Sequence, residues 1–340
     1  MTIVSSAVPV PTGRSRLVSI WLAVVGALAA LLLCPYVLSQ YQTVVLTYGL
    51  VMSIAAMGLN LLLGYTGLLS FGHSAFFGIG AYTVAMIVRD VGSVSMEASI
   101  AAAALASGAI AGLFGIACVR HTRIFFGILT LALSQVLWSF VFKFYLVTGG
   151  TDGIRVSYSS VKLLGGLIDF HGKGAFQRFT LSYYYYVLAF FVVPIAALWV
   201  VVRSPFGMAL KAIRDNEMRA SFVGISTGPY KWLAFVISGI FTGIAGALWA
   251  PLGGHVTPEA LYWPLSGEIV FMVVLGGFRS FLGPVVGAIL FNYLKTYAIA
   301  ATEYWQLVLG LLLVVLVLAL PHGLIGTVQR LAARRSRPIK

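Results

Sequence analysis

The feature that most constrains this chain is the regular return of apolar stretches long enough to cross a lipid bilayer, separated by short polar breaks. A spanning helix needs about 20 largely apolar residues to cross roughly 30 Å of hydrocarbon. Candidates lie at 17–34, 43–64, 73–88, 98–119, 124–142, 183–202, 231–250, 266–278, 283–301 and 305–320. Helices are the spanning structures that satisfy their own backbone in lipid, so an all-α integral membrane protein of about ten transmembrane helices is expected. The eighth stretch is short, and those at 73–88 and 283–301 carry glycine breaks near their starts. Composition agrees: 60% of the 340 residues are hydrophobic and 9% charged, where a soluble chain carries roughly 25% charged. The first stretch outruns the roughly 7–15-residue apolar core of a signal peptide. No small-residue cleavage site follows Leu33-Cys34-Pro35, so a retained first helix is expected. Cys34 and Cys118 fall in apolar stretches and read as small hydrophobes, not as a disulfide or metal pair.

Orientation follows from arginine and lysine, because basic loops stay on the cytoplasmic side. With residues 1–16 cytoplasmic, the inside receives Arg14, Arg16, Arg120, Arg123, the stretch 203–231, Arg279 and a basic tail at 321–340. The surplus on that side accounts for the whole formal net charge of +13. Residues 143–182 become an extracytoplasmic loop between spans of a 17–320 transmembrane domain. A multi-pass protein of a bacterial inner membrane, bathed in lipid and with both termini cytoplasmic, is expected. Topology explains the basic charge without nucleic acid as a partner.

Catalytic signatures are missing from the sequence. No stretch matches the phosphate-cradling G-x-x-x-x-G-K-[ST], H-E-x-x-H or G-x-S-x-G, and no cysteines stand at zinc spacing. No metal site and no cofactor are expected on this chain, and it does not read as an enzyme. The spans show almost no Asp, Glu or Lys at mid-depth, which speaks against a proton relay. A sodium-coupled secondary transporter needs no such charge and stays open as an alternative class.

Two glycine-interrupted segments stand out, Gly58 to Gly78 and Val274 to Pro284. Backbone leaves the helix at membrane depth only where protein buries it or a wet cavity runs beside it. Broken helices in both halves of a transporter often mark its pathway. Asn60, Thr66, Ser70, His73 and Glu268 are the candidate pathway residues. The alternative is that the glycines let helices pack closely, with His73 as a hydrogen-bonding residue.

The loop at 203–229 is amphipathic. Pro205 suits a first helical turn, Asp215 or Asn216 can cap a second short helix, and Gly224 can end it. Phe206, Leu210 and Ile213 share one face, Met218 and Phe222 another. Such helices between spans need a partner for their apolar side; a helix lying flat on lipid is the alternative.

The chain resembles the permease subunits of branched-chain amino-acid ABC importers, most of all the longer of the two. The matching runs are G-L-N-L-L-L-G-Y-T-G-L-L-S-F-G-H at 58–73, T-G-G-T-D-G-I at 148–154, R-S-P-F-G-M-A-L-K-A-I-R-D-N-E at 203–217, Y-K-W-L-A-F-V-I-S at 230–238, and S-G-E-I-V-F-M-V-V-L-G-G at 266–277. The resemblance implies that Pro205 to Gly224 is a coupling helix docked on a separate ATPase. Pro205, Phe206, Leu210, Ile213, Asp215, Glu217, Phe222 and Gly224 would make that contact. It further implies a second permease subunit, two ATPase subunits that hold ATP and Mg, and an extracytoplasmic binding protein that delivers leucine, isoleucine or valine. The same family includes transporters of urea, amides and aromatic or other organic acids. Arg219, Ser221 and Arg279 depart from its usual pattern.

Overall fold

Apolar side chains spaced through long stretches without turn signals make helices here, because hydrocarbon offers the backbone no other hydrogen-bond partner. The computed structural model describes residues 26–92, 95–121, 123–166, 174–320, 323–327 and 330. The chain divides at residue 43 into two units. In the first, α1 (Gly26–Val37) exposes Leu33, Tyr36 and Val37. The expected span at 17–34 falls partly outside the described residues, as do the 1–16 segment and most of the 321–340 tail. After α1, Ser39 and Gln42 form a reciprocal cap: Ser39 Oγ accepts the Gln42 N–H and Gln42 Oε1 accepts the Ser39 N–H. That cap starts α2 (Gln40–Leu63).

The second unit continues with α3 (His73–Val91), α4 (Met96–Cys118), α5 (Arg123–Lys143), a short α6 (Tyr145–Thr148) and α7 (Ala175–Arg203). Two short helices, α8 (Pro205–Asp215) and α9 (Glu217–Phe222), precede α10 (Thr227–Gly253). The chain then forms α11 (Trp263–Gly276), α12 (Gly283–Ala301) and α13 (Trp305–Ala319). Among the described residues, eight helices are long and apolar enough to cross a membrane, and α1 and α11 are shorter apolar helices. The expected all-α membrane architecture is what the chain adopts. The largest difference from the expected boundaries is at α7. It starts at Ala175, eight residues before the apolar run at 183, and its first two turns mix Gln177, Arg178, Thr180 and Ser182 with apolar residues. α11 ends at Gly276, because Gly277 takes φ 104°, a backbone that other residues avoid.

The centre of the unit is α10, packed against α3 and α4. A Cβ at Gly246 would strike the Phe77 carbonyl and one at Gly80 the Gly243 carbonyl, so the helices meet backbone to backbone. Around that contact lie Phe76, Phe114, Phe126 and Phe235, with Phe235 edge-on to both Phe76 and Phe126 at 5.4 Å. Leu105, Leu113, Ile128, Leu311 and Leu318 point outward, an apolar surface suited to lipid or another membrane subunit.

Contacts sort the connections onto two ends of the bundle. At one end β1 (Ile154–Arg155) pairs antiparallel with β2 (His255–Val256), Ile154 opposite Val256. Nearby, Glu97 Oε1 accepts the Leu164 N–H at 2.9 Å. At the other end the α2–α3, α7–α10 and α11–α12 connections meet. This is the alternation that the sequence reading requires. With Cys34 and Cys118 replaced, Ser157→Cys and Met218→Cys variants should label from opposite faces of sealed vesicles with an impermeant thiol reagent. Labelling of both from one face would break the alternation.

Candidate functional site

α2 unwinds after Leu63, and residues 64–72 run without helix until His73 starts α3. Thr66 closes the helix end: its hydroxyl donates to the Leu62 carbonyl at 2.6 Å, and its N–H reaches the same carbonyl at 2.9 Å. Farther on, the Phe71 N–H donates to Thr130 Oγ1 at 3.2 Å, and the Gly72 N–H to Ser70 Oγ at 3.3 Å.

His73 is fully buried between Ser70 (Nδ1 to Oγ 3.0 Å) and Ser238 (Nε2 to Oγ 2.7 Å). The proton positions follow from donor counting. Ser238 donates its single hydroxyl proton to the Gly58 carbonyl at 2.6 Å, so it accepts from His73 Nε2–H. Nδ1 then accepts from Ser70, whose oxygen also takes the Gly72 N–H. The adjoining Ser266 hydroxyl donates to Ser74 Oγ and accepts the Ser74 N–H, both at 2.8 Å. Ser70, His73, Ser74, Ser238 and Ser266 thus tie α2, α3, α10 and α11 together through buried hydrogen bonds. For Ser70 and His73 this is the geometry of the packing alternative. Ser238 and Ser266 were not singled out in the sequence, because their spacing resembles that of any small residue in a membrane helix.

Asn60 differs. It is buried, and neither atom of its amide has a hydrogen-bond partner among the described residues. It faces a crevice lined by Met57, Leu61, Tyr65, Leu198, Val202 and Phe281, too narrow to admit water. The crevice lies where the two backbone breaks meet. Gly64 abuts the carbonyl of Phe278, in the turn between α11 and α12, and a Cβ there would collide with that carbonyl and with Asn60. In that turn the Ser280 hydroxyl and N–H both donate to the Gly277 carbonyl, at 3.0 and 3.1 Å. Phe281 then packs edge-on against Trp199 of α7 at 4.8 Å.

The helix pair α8–α9 sits against this junction. Ser204 caps α8 with Pro205 in its first turn, Asn216 Oδ1 accepts the Arg219 N–H at 2.9 Å to start α9, and Gly224 follows α9 at φ 89°. The Ile225 N–H reaching back to the Ala220 carbonyl completes a glycine-dependent helix end. One expectation needs correction. The apolar side of α8 does not await an outside partner: Leu210 and Ile213 are fully buried, and Phe206 stacks on Tyr230 at 5.6 Å. The chain's own core covers that side, since α8 folds back beneath α7 and α10. The exposed apolar side chains are Met208, Met218, Phe222 and Val223, with Phe222 at 81% exposure. Asp215 is exposed beside Arg214, and Glu217 pairs with the buried Lys231 at 2.6 Å.

Lys211 and Arg214, one turn apart on α8, reach the first break. Arg214 Nη1 donates to the Gly64 carbonyl, and the Lys211 ammonium lies 5.4 Å from the centre of the Tyr65 ring. Glu268 stands elsewhere, on α11, where Lys295 of α12 bonds both its carboxylate oxygens at 2.6 and 2.8 Å. Among the described residues no cluster of His, Cys, Asp and Glu is arranged to hold a metal ion.

A family model for the permease component of branched-chain amino acid transport systems matches residues 41–317. The chain belongs to this permease family. The high-affinity branched-chain amino acid transport permease LivM of Escherichia coli (strain K12) is 29% identical over 310 residues, covering 86% of this chain and 71% of the relative. LivM of Salmonella typhimurium is likewise 29% identical over 306 residues, with the same shares covered. LivH of Salmonella typhimurium is 25% identical over 296 residues, covering 82% of this chain and 92% of the relative. No solved structure matches. The permease is thus a multi-pass membrane transport subunit, and both glycine breaks and α8–α9 lie inside the matched region.

Removing the Ser238 hydroxyl tests the serine–histidine network. Ser238→Ala leaves the His73 N–H and the Gly58 carbonyl without their partner in a dry interior, a loss of about 1–3 kcal/mol. Thermal unfolding of the detergent-solubilised permease should register it. No change in midpoint would mean that water substitutes for the hydroxyl.

Proposed function

We propose that this permease is one of two membrane subunits of an ATP-driven importer of leucine, isoleucine and valine. An extracytoplasmic binding protein delivers the substrate. Two separate ATPase subunits hold ATP and Mg and dock on the cytoplasmic end, where α8 and α9 lie. The observation that carries this reading is the pairing of two properties in α8–α9. Its exposed side offers Met208, Met218, Phe222 and Val223 to a partner, while its inner side is bonded to the break in α2 through Arg214. A push on the exposed side is thereby delivered to unwound backbone inside the bundle. An ion-coupled transporter would have no use for such a surface.

Phe222→Asp places a charge into the proposed contact, and a buried charge without a partner is strongly unfavourable. At Gly224 no atom lies within 4 Å of an added Cβ, so Gly224→Val acts through its positive φ alone. Both variants should insert normally yet lose co-purification of the ATPase subunit, with uptake reduced roughly tenfold or more, since each 1.4 kcal/mol is a factor of ten. Unchanged assembly and uptake in both would make α8–α9 a lipid-surface helix pair. Arg214→Met should separate the two steps: the ATPase still binds, but hydrolysis loses its stimulation by loaded binding protein. Normal stimulation would remove Arg214 from the coupling route.

A further inference from the structure

The ion pair between Glu268 and Lys295 has no role in the route from α8–α9 to the backbone breaks. Both residues lie about 7–9 Å inside the end of the bundle that carries β1 and β2, counted at 1.5 Å per residue from Trp263 and from Ala301. Aromatic residues mark that end as the membrane interface: Tyr262, Trp263, Tyr304 and Trp305 cluster in sequence around it. The pair therefore lies inward of that aromatic level, at the edge of the hydrocarbon. It is not sealed, because the Glu268 side chain is 19% and the Lys295 side chain 29% exposed. Lys295 also lies 5.6 Å from the Trp305 ring centre.

Ionised groups at this depth are costly against lipid, and they face a wet cavity or another polar surface. Two charges held only for stability are a poor device, since apolar replacement of a buried ion pair is often neutral or stabilising. One negative and one positive group in mutual contact, open on one side, complement a small molecule that carries both charges. One turn deeper on α11, Phe271 is exposed and offers apolar surface on the same helix face as Glu268.

We propose that Glu268 and Lys295 form a transient binding site for the zwitterionic head of an α-amino acid entering from the extracytoplasmic side. The ammonium of Lys295 receives the substrate carboxylate and the Glu268 carboxylate receives its ammonium, each exchanging its present partner for the ligand. Phe271 receives the aliphatic side chain. This rests on the importer reading and adds to it a selection by charge: molecules with neither charge, or with only one, lose half or all of the exchange.

The test uses the assembled importer in lipid nanodiscs without binding protein. Gly267 neighbours Glu268, and no atom lies within 4 Å of an added Cβ, so Gly267→Cys in a background lacking Cys34 and Cys118 is a local probe. An impermeant cationic methanethiosulfonate should label it, and millimolar leucine should slow labelling several-fold. Neither 4-methylpentanoate, which lacks the amine, nor 3-methylbutylamine, which lacks the carboxylate, should do so. Adding the neutral double change Glu268→Gln with Lys295→Met leaves no unpaired charge behind and should abolish protection by leucine while labelling persists. Absence of labelling, equal protection by 4-methylpentanoate, or protection that survives the double change would overturn the site. If Gly267→Cys prevents assembly, Ile299→Cys, exposed one turn from Lys295 on α12, gives the same readout. Leucine uptake by the unsubstituted complex is measured alongside, so a failed site is distinguishable from a failed importer assignment.

Discussion

Every buried peptide group must find a hydrogen-bond partner, and two buried connections of this permease find theirs outside a helix. Residues 64–72 and 277–282 are non-helical, and besides main-chain carbonyls their partners include short hydroxyl side chains. Thr66 holds the end of α2, Thr130 takes the Phe71 N–H, Ser70 takes the Gly72 N–H, and Ser280 turns back on Gly277. His73 and Ser238 then tie the first stretch to α10. With these contacts the chain keeps non-helical backbone buried among its own helices. The closed serine–histidine network, the contact of Gly64 with Phe278 and the position of α8 all follow from that accommodation.

The junction of the two breaks combines rigid and yielding parts. On the α3–α4–α10 side, backbone-to-backbone packing leaves little room for adjustment. On the α2–α7 side, the Asn60 amide lacks partners in a crevice that excludes water. A buried amide in that state raises the energy of this arrangement relative to any other that lets it pair. That amide lies at the end of α2, next to Gly64 and the helix pair that faces outward.

Much of the fold was legible from hydropathy, because length and apolarity are the same physical requirement in a bilayer. The ends of α8 and α9 were legible as well: Pro205, Asn216 and Gly224 each act through their own local chemistry. The start of α7 was not, since Gln177, Arg178, Thr180 and Ser182 interrupt the apolar run there. Periodicity showed that Phe206, Leu210 and Ile213 share a face, but not that the same chain covers it. Contacts between residues far apart escaped altogether. Nothing local ties Arg214 to Gly64, or Glu268 to Lys295: Glu268 stands out in the sequence as a candidate pathway residue, but its partner does not.

The Arg214 contact has one more consequence. Its acceptor is a main-chain carbonyl, which every amino acid carries, and its neighbour at position 64 is confined to glycine by the Phe278 carbonyl and Asn60. Selection on this link can act only on the guanidinium side, so the two positions have no compensating exchanges to trade. Methods that infer proximity from paired substitutions across relatives would pass over the joint between the outward-facing helices and the broken span.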